Sequence, residues 1–347
     1  MSSQTMAARP RTIRFSPDAK QVGDKLGFIE KLRGTWEGQG FNLIARPDKQ
    51  GGSPLFLELN QTFETLSFIP ISSTIPNRGN AVDDIELFGL TYLQKISDLA
   101  TGGALHIEPG IWVHIPSQDT NNGQTQSVAR MATIPHGNSL LAQGTAINLD
   151  PLPGGTFDPD AVSAANTAPF GLAGPMPAPG TPGGFPPYDL SNLTPAAKNF
   201  RTSNLPDTIL GVPMQDAILD PVKLLTAALS GQTIEKMVVI NVATVASLSQ
   251  TQPGPGSQPA KPLAFAGGGG GVENIPFLQT NANAATVFAT FWIEQIQGPT
   301  ADSGFLQLQY VQTVLLNFPL LKPNAAPVPL SWPHVSVATL KKTFGGQ

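Results

Sequence analysis

Alternation of apolar and polar side chains at every second residue is the strongest signal in this chain. From Leu55 to Phe63, Leu55, Leu57, Leu59 and Phe63 fall on one face, and Glu58, Asn60, Thr62 and Glu64 fall on the other. From Phe305 to Leu316, Leu306, Leu308, Tyr310, Val314 and Leu316 share a face opposite Gln307, Gln309 and Thr313. A period of two marks strands whose faces meet different surroundings. The same rhythm predicts further strands at Gly34 to Ala45, Ile85 to Ile96, Leu105 to Ile115, Ser127 to Pro135, Leu140 to Ala146, Met237 to Val245, Thr286 to Ile296 and Val335 to Lys341. An all-β fold with a closed antiparallel barrel of about ten strands suits this pattern, because closure removes the exposed edges of an open sheet. A sandwich gives similar alternation, so periodicity does not separate the two.

Two stretches break the rhythm. Pro151 to Leu190 holds 10 Pro and 7 Gly in 40 residues, and Thr251 to Gly271 ends in five consecutive glycines. Both read as insertions or loops. Between them, Asp216 to Ser230 predicts a short helix closed by Gly231, and Asp18 to Leu32 predicts another leading into the first strand. The organisation expected is therefore an N-terminal segment over 1–33, the first part of a barrel over 34–146, a long irregular Pro/Gly-rich insertion over 147–236, and the rest of the barrel over 237–347.

Composition narrows the classes. Gly 35 and Pro 34 together make about a fifth of the 347 residues, too many for a helical bundle. Apolar content of 40% with a net charge of only −4 excludes wholesale disorder. With Cys 0 there is no disulfide, thiolate ligand or cysteine nucleophile. The weakly acidic balance, pI ≈ 5.6, argues against a nucleic-acid partner. The longest uncharged run, Ala161 to Tyr188, is broken by Pro and Gly throughout and does not suit a membrane span. Met1 to Pro10 lacks the apolar core of a signal peptide, so a cytoplasmic location is expected.

Gly-x-Ser-x-Gly, Walker-type and His-Glu-x-x-His signatures are absent, and the glycines from Gly267 to Gly271 have no following Lys to hold a phosphate. The histidines His106, His114, His136 and His334 are too dispersed for a local metal cluster. One imidazole nevertheless suffices to hold a haem iron when a barrel wall supplies the pocket.

Four segments together resemble a known family. Gly34-Thr35-Trp36-Glu37-Gly38-Gln39-Gly40 is similar to the opening Gly-x-Trp-x-Gly-x-Gly strand of nitrobindins, small haem-binding barrels related in fold to fatty-acid-binding proteins. Leu105-His106-Ile107-Glu108-Pro109-Gly110-Ile111-Trp112 resembles their Leu/Met-His-x-Glu-x-Gly-Tyr-Trp strand, with Ile111 in place of the Tyr. Ala132 to Gly137 falls where the family has its Ala-His-Pro-x-Gly turn, and Pro333-His334 to Lys342 is similar to the closing strand, which begins with the proximal histidine. The match covers about half the chain, and the Pro/Gly-rich regions have no counterpart in the family.

The resemblance implies haem b as cofactor, with His334 as axial ligand; the plain reading of His334 is a capping histidine after a proline. It also implies that Leu105 and His106 line the haem pocket, where His106 would meet bound ligand or act in proton transfer. Equally, His106 reads as a structural partner of Glu108. Simple alternation puts His106, Glu108, Trp112 and His114 on one face, and Pro109-Gly110 is a candidate bulge that changes the parity. Trp36 is expected to plug a barrel end, with Gly38 and Gly40 allowing close backbone contact. Arg78 reads either as an exposed turn residue or as a partner of a haem propionate or a substrate carboxylate. His136 reads as a turn residue, and His114 has no assigned role.

The function this implies is binding or turnover of a small oxidant or nitrogen oxide at ferric haem. Two alternatives stand beside it. One is a non-haem carrier of an apolar ligand in a fatty-acid-binding-type barrel. The other is a haem peroxidase or peroxygenase for an organic substrate, with the insertion as lid.

Overall fold

Each of the ten alternating segments forms a strand, and each pairs with the next along the chain. The computed structural model describes residues 19–47, 55–77, 84–116, 127–134, 138–150, 152, 170–171, 200–201, 205–244, 285–300, 303–320 and 328–343. The strands are β1 (Gly34–Pro47), β2 (Leu55–Pro70), β3 (Ile85–Asp98), β4 (Ala104–His114), β5 (Val128–Ile134), β6 (Asn138–Leu149), β7 (Ile234–Ala243), β8 (Thr286–Ile296), β9 (Phe305–Leu320) and β10 (Val328–Lys342). Every consecutive pair is antiparallel, and β10 returns to pair with β1. The ring therefore closes as a ten-stranded up-and-down barrel, which decides against the sandwich.

Both faces of the wall are buried over part of the circumference. Trp36, Leu66, Phe68, Leu90, Trp112, Phe291, Leu308 and Leu340 fill the interior. On the outside, Phe41, Leu43, Leu59, Trp292, Val311, Val335 and Val337 pack against Ile209, Ile218, Val222 and Leu225 from the β6–β7 connection. This changes the meaning of the alternation in β2. Leu59 faces outward under that cover, while Asn60, Thr62 and Glu64, buried at 6%, 0% and 0% exposure, belong to the opposite, lumen-facing set.

The expected single helix at Asp216 to Ser230 is two: α2 (Met214–Leu219) and α3 (Lys223–Ala228). Pro221 lacks an N–H and drives Asp220 into an extended conformation (φ −149°, ψ 88°), which ends α2. Other parts of the same connection reach the wall as short strands. Phe170–Gly171 pairs with Leu330–Ser331 of β10, and Phe200–Arg201 runs parallel to Leu57–Glu58 of β2. The rest of the uncharged run from Ala161 to Tyr188 lies outside the described residues, as does Gly267 to Gly271. Among the described residues no helix is long and apolar enough to cross a membrane.

The N-terminal segment seals one end of the barrel. It divides into α1 (Ala19–Lys25) and a 3-10 helix (Gly27–Leu32), whose Val22, Leu26, Ile29 and Leu32 join the interior core. Gly27 breaks the helix with φ +55°, and a Cβ there would lie 2.7 Å from the His114 ring. His114 Nδ1 lies 2.7 Å from the Lys25 carbonyl oxygen, so this histidine ties the end of α1 to β4. Trp36 is fully buried and donates from Nε1 to the Leu32 carbonyl at 2.7 Å, plugging this end as expected.

Gly38 is required by backbone approach: a Cβ there would sit 2.1 Å from the Thr339 carbonyl oxygen of β10. Gly38→Ala is expected to cost about 1–3 kcal/mol by forcing β1 and β10 apart. Urea unfolding of the two proteins measures it, and equal midpoints would contradict it.

Candidate functional site

The other end of the barrel opens into a cavity of about 500 Å³. It is built where odd-numbered strands end and even-numbered strands begin, and its walls come in rows set by strand register. Ile44, His334 and Val314 are cross-strand neighbours on β1, β10 and β9, and all three line the cavity. Ile96, Leu105, Ile134 and Leu316 add to this apolar collar. One row deeper come Asn42, Ser336 and Gln312, then Tyr310, with Gln94 from β3 beside them. An apolar collar carrying imidazoles thus stands above a polar floor.

Three of the four residues expected to meet a haem come together here: Leu105, His106 and His334 line one cavity. Strand β4 lies four places from β10 around the ring by way of β1, β2 and β3, so the two histidines project from walls on nearly opposite sides. Arg78 and His136 lie outside the described residues. The candidate bulge at Pro109-Gly110 is not one, since Leu93 pairs with Pro109 and Tyr92 with Gly110 in unbroken register. The irregularity falls earlier: Ile96 faces His106 and Ser97 faces Ala104, leaving Leu105 as the extra residue. That bulge lets adjacent residues Leu105 and His106 both reach the cavity.

His106 also has the partner its plainer reading expected. Its Nε2 lies 3.3 Å from Glu108 Oε2, and because a carboxylate only accepts, Nε2 carries the proton. Glu108 is fully buried and takes a 2.6 Å bond from Arg130 Nη2, with the Tyr92 hydroxyl as a further donor. Burial alone would raise the Glu108 pKa. The Arg130 charge and the bonds from His106 and Tyr92 outweigh it and hold the group at about 2. Arg130 reaches on to Gln312 Oε1 at 2.6 Å and lies near the Tyr92, Trp112 and Phe291 rings, so the cation is satisfied in plane and flanked by aromatic faces.

Beneath the floor sits a second carboxyl, Glu64. It accepts from the Tyr310 hydroxyl at 2.7 Å and from Gln94 Nε2 at 3.1 Å. Burial pushes its pKa up to about 7, tempered by those two bonds and by the charges of His106 and Arg130. At the rim, Arg46 pairs with Glu58 and remains half exposed. Sequence reading missed Glu64, Arg130, Tyr310, Gln94 and Arg46 as site residues. The signal available was polar residues at the lumen-facing parity of their strands. Among the described residues no group of three or more His, Asp or Glu gathers to hold a metal ion.

No protein-family profile matches the chain, and no curated protein matches it in sequence. Among solved structures it is similar to the crystal structure of Rv2717c from M. tuberculosis, with 13% sequence identity over 92% of this chain and 98% of that chain and a TM-score of 0.32. The barrel assignment stands on the strand pairing itself.

Proposed function

We propose that the cavity holds haem b, with His334 as the residue that would bind its iron, as the nitrobindin resemblance implies. The observation that carries this reading is the collar: a single half-buried imidazole on β10, flanked on both neighbouring strands by Ile44 and Val314, across from a second imidazole at His106. A cavity of about 500 Å³ lies within the roughly 300–1,000 Å³ of ligand pockets. The residues present fit the group. His334 supplies the nitrogen, the aliphatic collar a dry surface for the ring, and Arg46 at the rim a cation for a propionate. Arg78, the other cation expected near a propionate, lies outside the described residues.

Bound haem would supply an open coordination position for a small oxidant or nitrogen oxide. The protein's own contribution lies in its side chains. Ile44 and Val314 shield the His334 imidazole from water, and Glu108 fixes the His106 ring through Nε2, so that ring keeps one orientation toward the cavity. The polar floor of Asn42, Ser336, Gln312 and Tyr310 disfavours a purely apolar cargo.

The test is haem addition to the purified full chain. A Soret band that saturates at one haem per chain is expected; no band after addition would overturn the reading.

A further inference from the structure

The floor of the cavity carries an unsatisfied acceptor. Asn42 lines it at 5% exposure, and its Oδ1 has no hydrogen-bond partner among the described residues. A buried carbonyl oxygen left so is destabilising unless something donates to it.

The charges tell the same story. Arg46 pairs with Glu58 and Arg130 with Glu108, while Glu64 is held by neutral donors, Tyr310 and Gln94. The other ionisable groups around it are His106 on β4, bonded to Glu108, and His334 on β10. Tyr310 and Gln94 line the cavity, and Glu64 lies directly behind them. The site therefore offers a carboxyl group reached through a hydroxyl, next to an unsatisfied acceptor.

We propose that the floor binds a small organic base bearing an N–H group, which enters neutral and is protonated in place by Glu64 through Tyr310. When Glu64 carries a proton, the Tyr310–Glu64 hydrogen bond reverses: the carboxyl donates to the Tyr310 oxygen and the Tyr310 hydroxyl turns its proton toward the ligand's basic nitrogen. That nitrogen takes the Tyr310 hydroxyl proton as the Glu64 carboxyl proton moves to the Tyr310 oxygen. One N–H and one O–H bond form, two O–H bonds break, and no electron changes hands. The product is a ligand cation facing a Glu64 carboxylate, with the ligand's N–H donated to Asn42 Oδ1. A carboxyl that titrates at about 7 is matched to such an exchange at neutral pH. The inference goes beyond the haem reading and rests on the cavity alone.

The probe is 2-aminopyridine, a base that titrates near neutrality, whose fluorescence separates base from cation and whose amino group hinders coordination to iron. The wild-type full chain at pH 8 is expected to bind it as the cation, although the free probe is then mostly neutral. Glu64→Gln should weaken binding about tenfold or more and leave the bound probe neutral. Asn42→Ala should weaken binding while leaving the probe cationic, which keeps the test open if the first variant fails to fold. Absence of binding to the wild type, binding as the neutral base, or equal affinity in Glu64→Gln would each overturn the proposal. All are readable on haem-free protein, so a failure to bind haem is a separate result.

Discussion

Replacing His334 with alanine is expected to cost at least about 100-fold in haem affinity while leaving the barrel folded. Loss of groups that merely orient a metal ligand already costs roughly 10–100-fold, and His334 is proposed as the ligand itself. The fold should survive because the side chain projects into the cavity, while its neighbours Trp332, Val335 and Val337 are buried. The truncation leaves a small gap beside the proposed iron position, so added imidazole should restore part of the wild-type spectrum. His106→Ala should change ligand binding more than haem retention. Haem titration and far-ultraviolet circular dichroism measure these effects. A wild-type spectrum and affinity in His334→Ala would reduce the resemblance to one of fold.

Glu108→Ala is expected to have the largest effect on stability, about 3–5 kcal/mol, because it strands a buried guanidinium. Arg130 is only 3% exposed, and the remaining partners, Tyr92 and Gln312, cannot neutralise it. Replacing both members by apolar residues of similar volume should recover much of the loss. The pH dependence has a definite sign. Glu108 titrates at about 2 in the folded protein, against roughly 4.3 in an unfolded chain. Its contribution is therefore fully present above about pH 4.3 and is lost as pH falls toward 2. Glu64 and Glu294 act in the opposite direction. Burial raises them to about 7 and about 8, so their folded forms hold protons that the unfolded chain releases above about pH 4.3. Stability contributed by these two falls as pH rises from about 4.3 to 8. Chemical denaturation across this range measures both trends, and an unchanged midpoint in Glu108→Ala would show that the ion pair does not hold the core.

The barrel was legible because its pleat imposes a period of two on every strand, and all ten segments were found in chain order. Strand ends were less so. β10 begins at Val328, seven residues before the predicted Val335, because Pro329 and Pro333 interrupt the apolar rhythm that marks a strand. The polar face of β2 illustrates a deeper limit. Alternation says that two faces differ, not which one is inside; Asn60, Thr62 and Glu64 point inward, and α2 and α3 cover the outward side at Leu59. At the site, His334 and His106 were legible through motifs carried on single strands. Their convergence, the bulge at Leu105, and the pairing of Arg130 with Glu108 depend on contacts between distant segments, which no local pattern records.

The most direct test of the haem assignment is the low-frequency resonance Raman spectrum of the ferrous, haem-loaded full chain. The account predicts an iron–imidazole stretching band that shifts when histidine is labelled with heavy nitrogen and disappears in His334→Ala. A band that is insensitive to the label, or one that persists in His334→Ala, would contradict it.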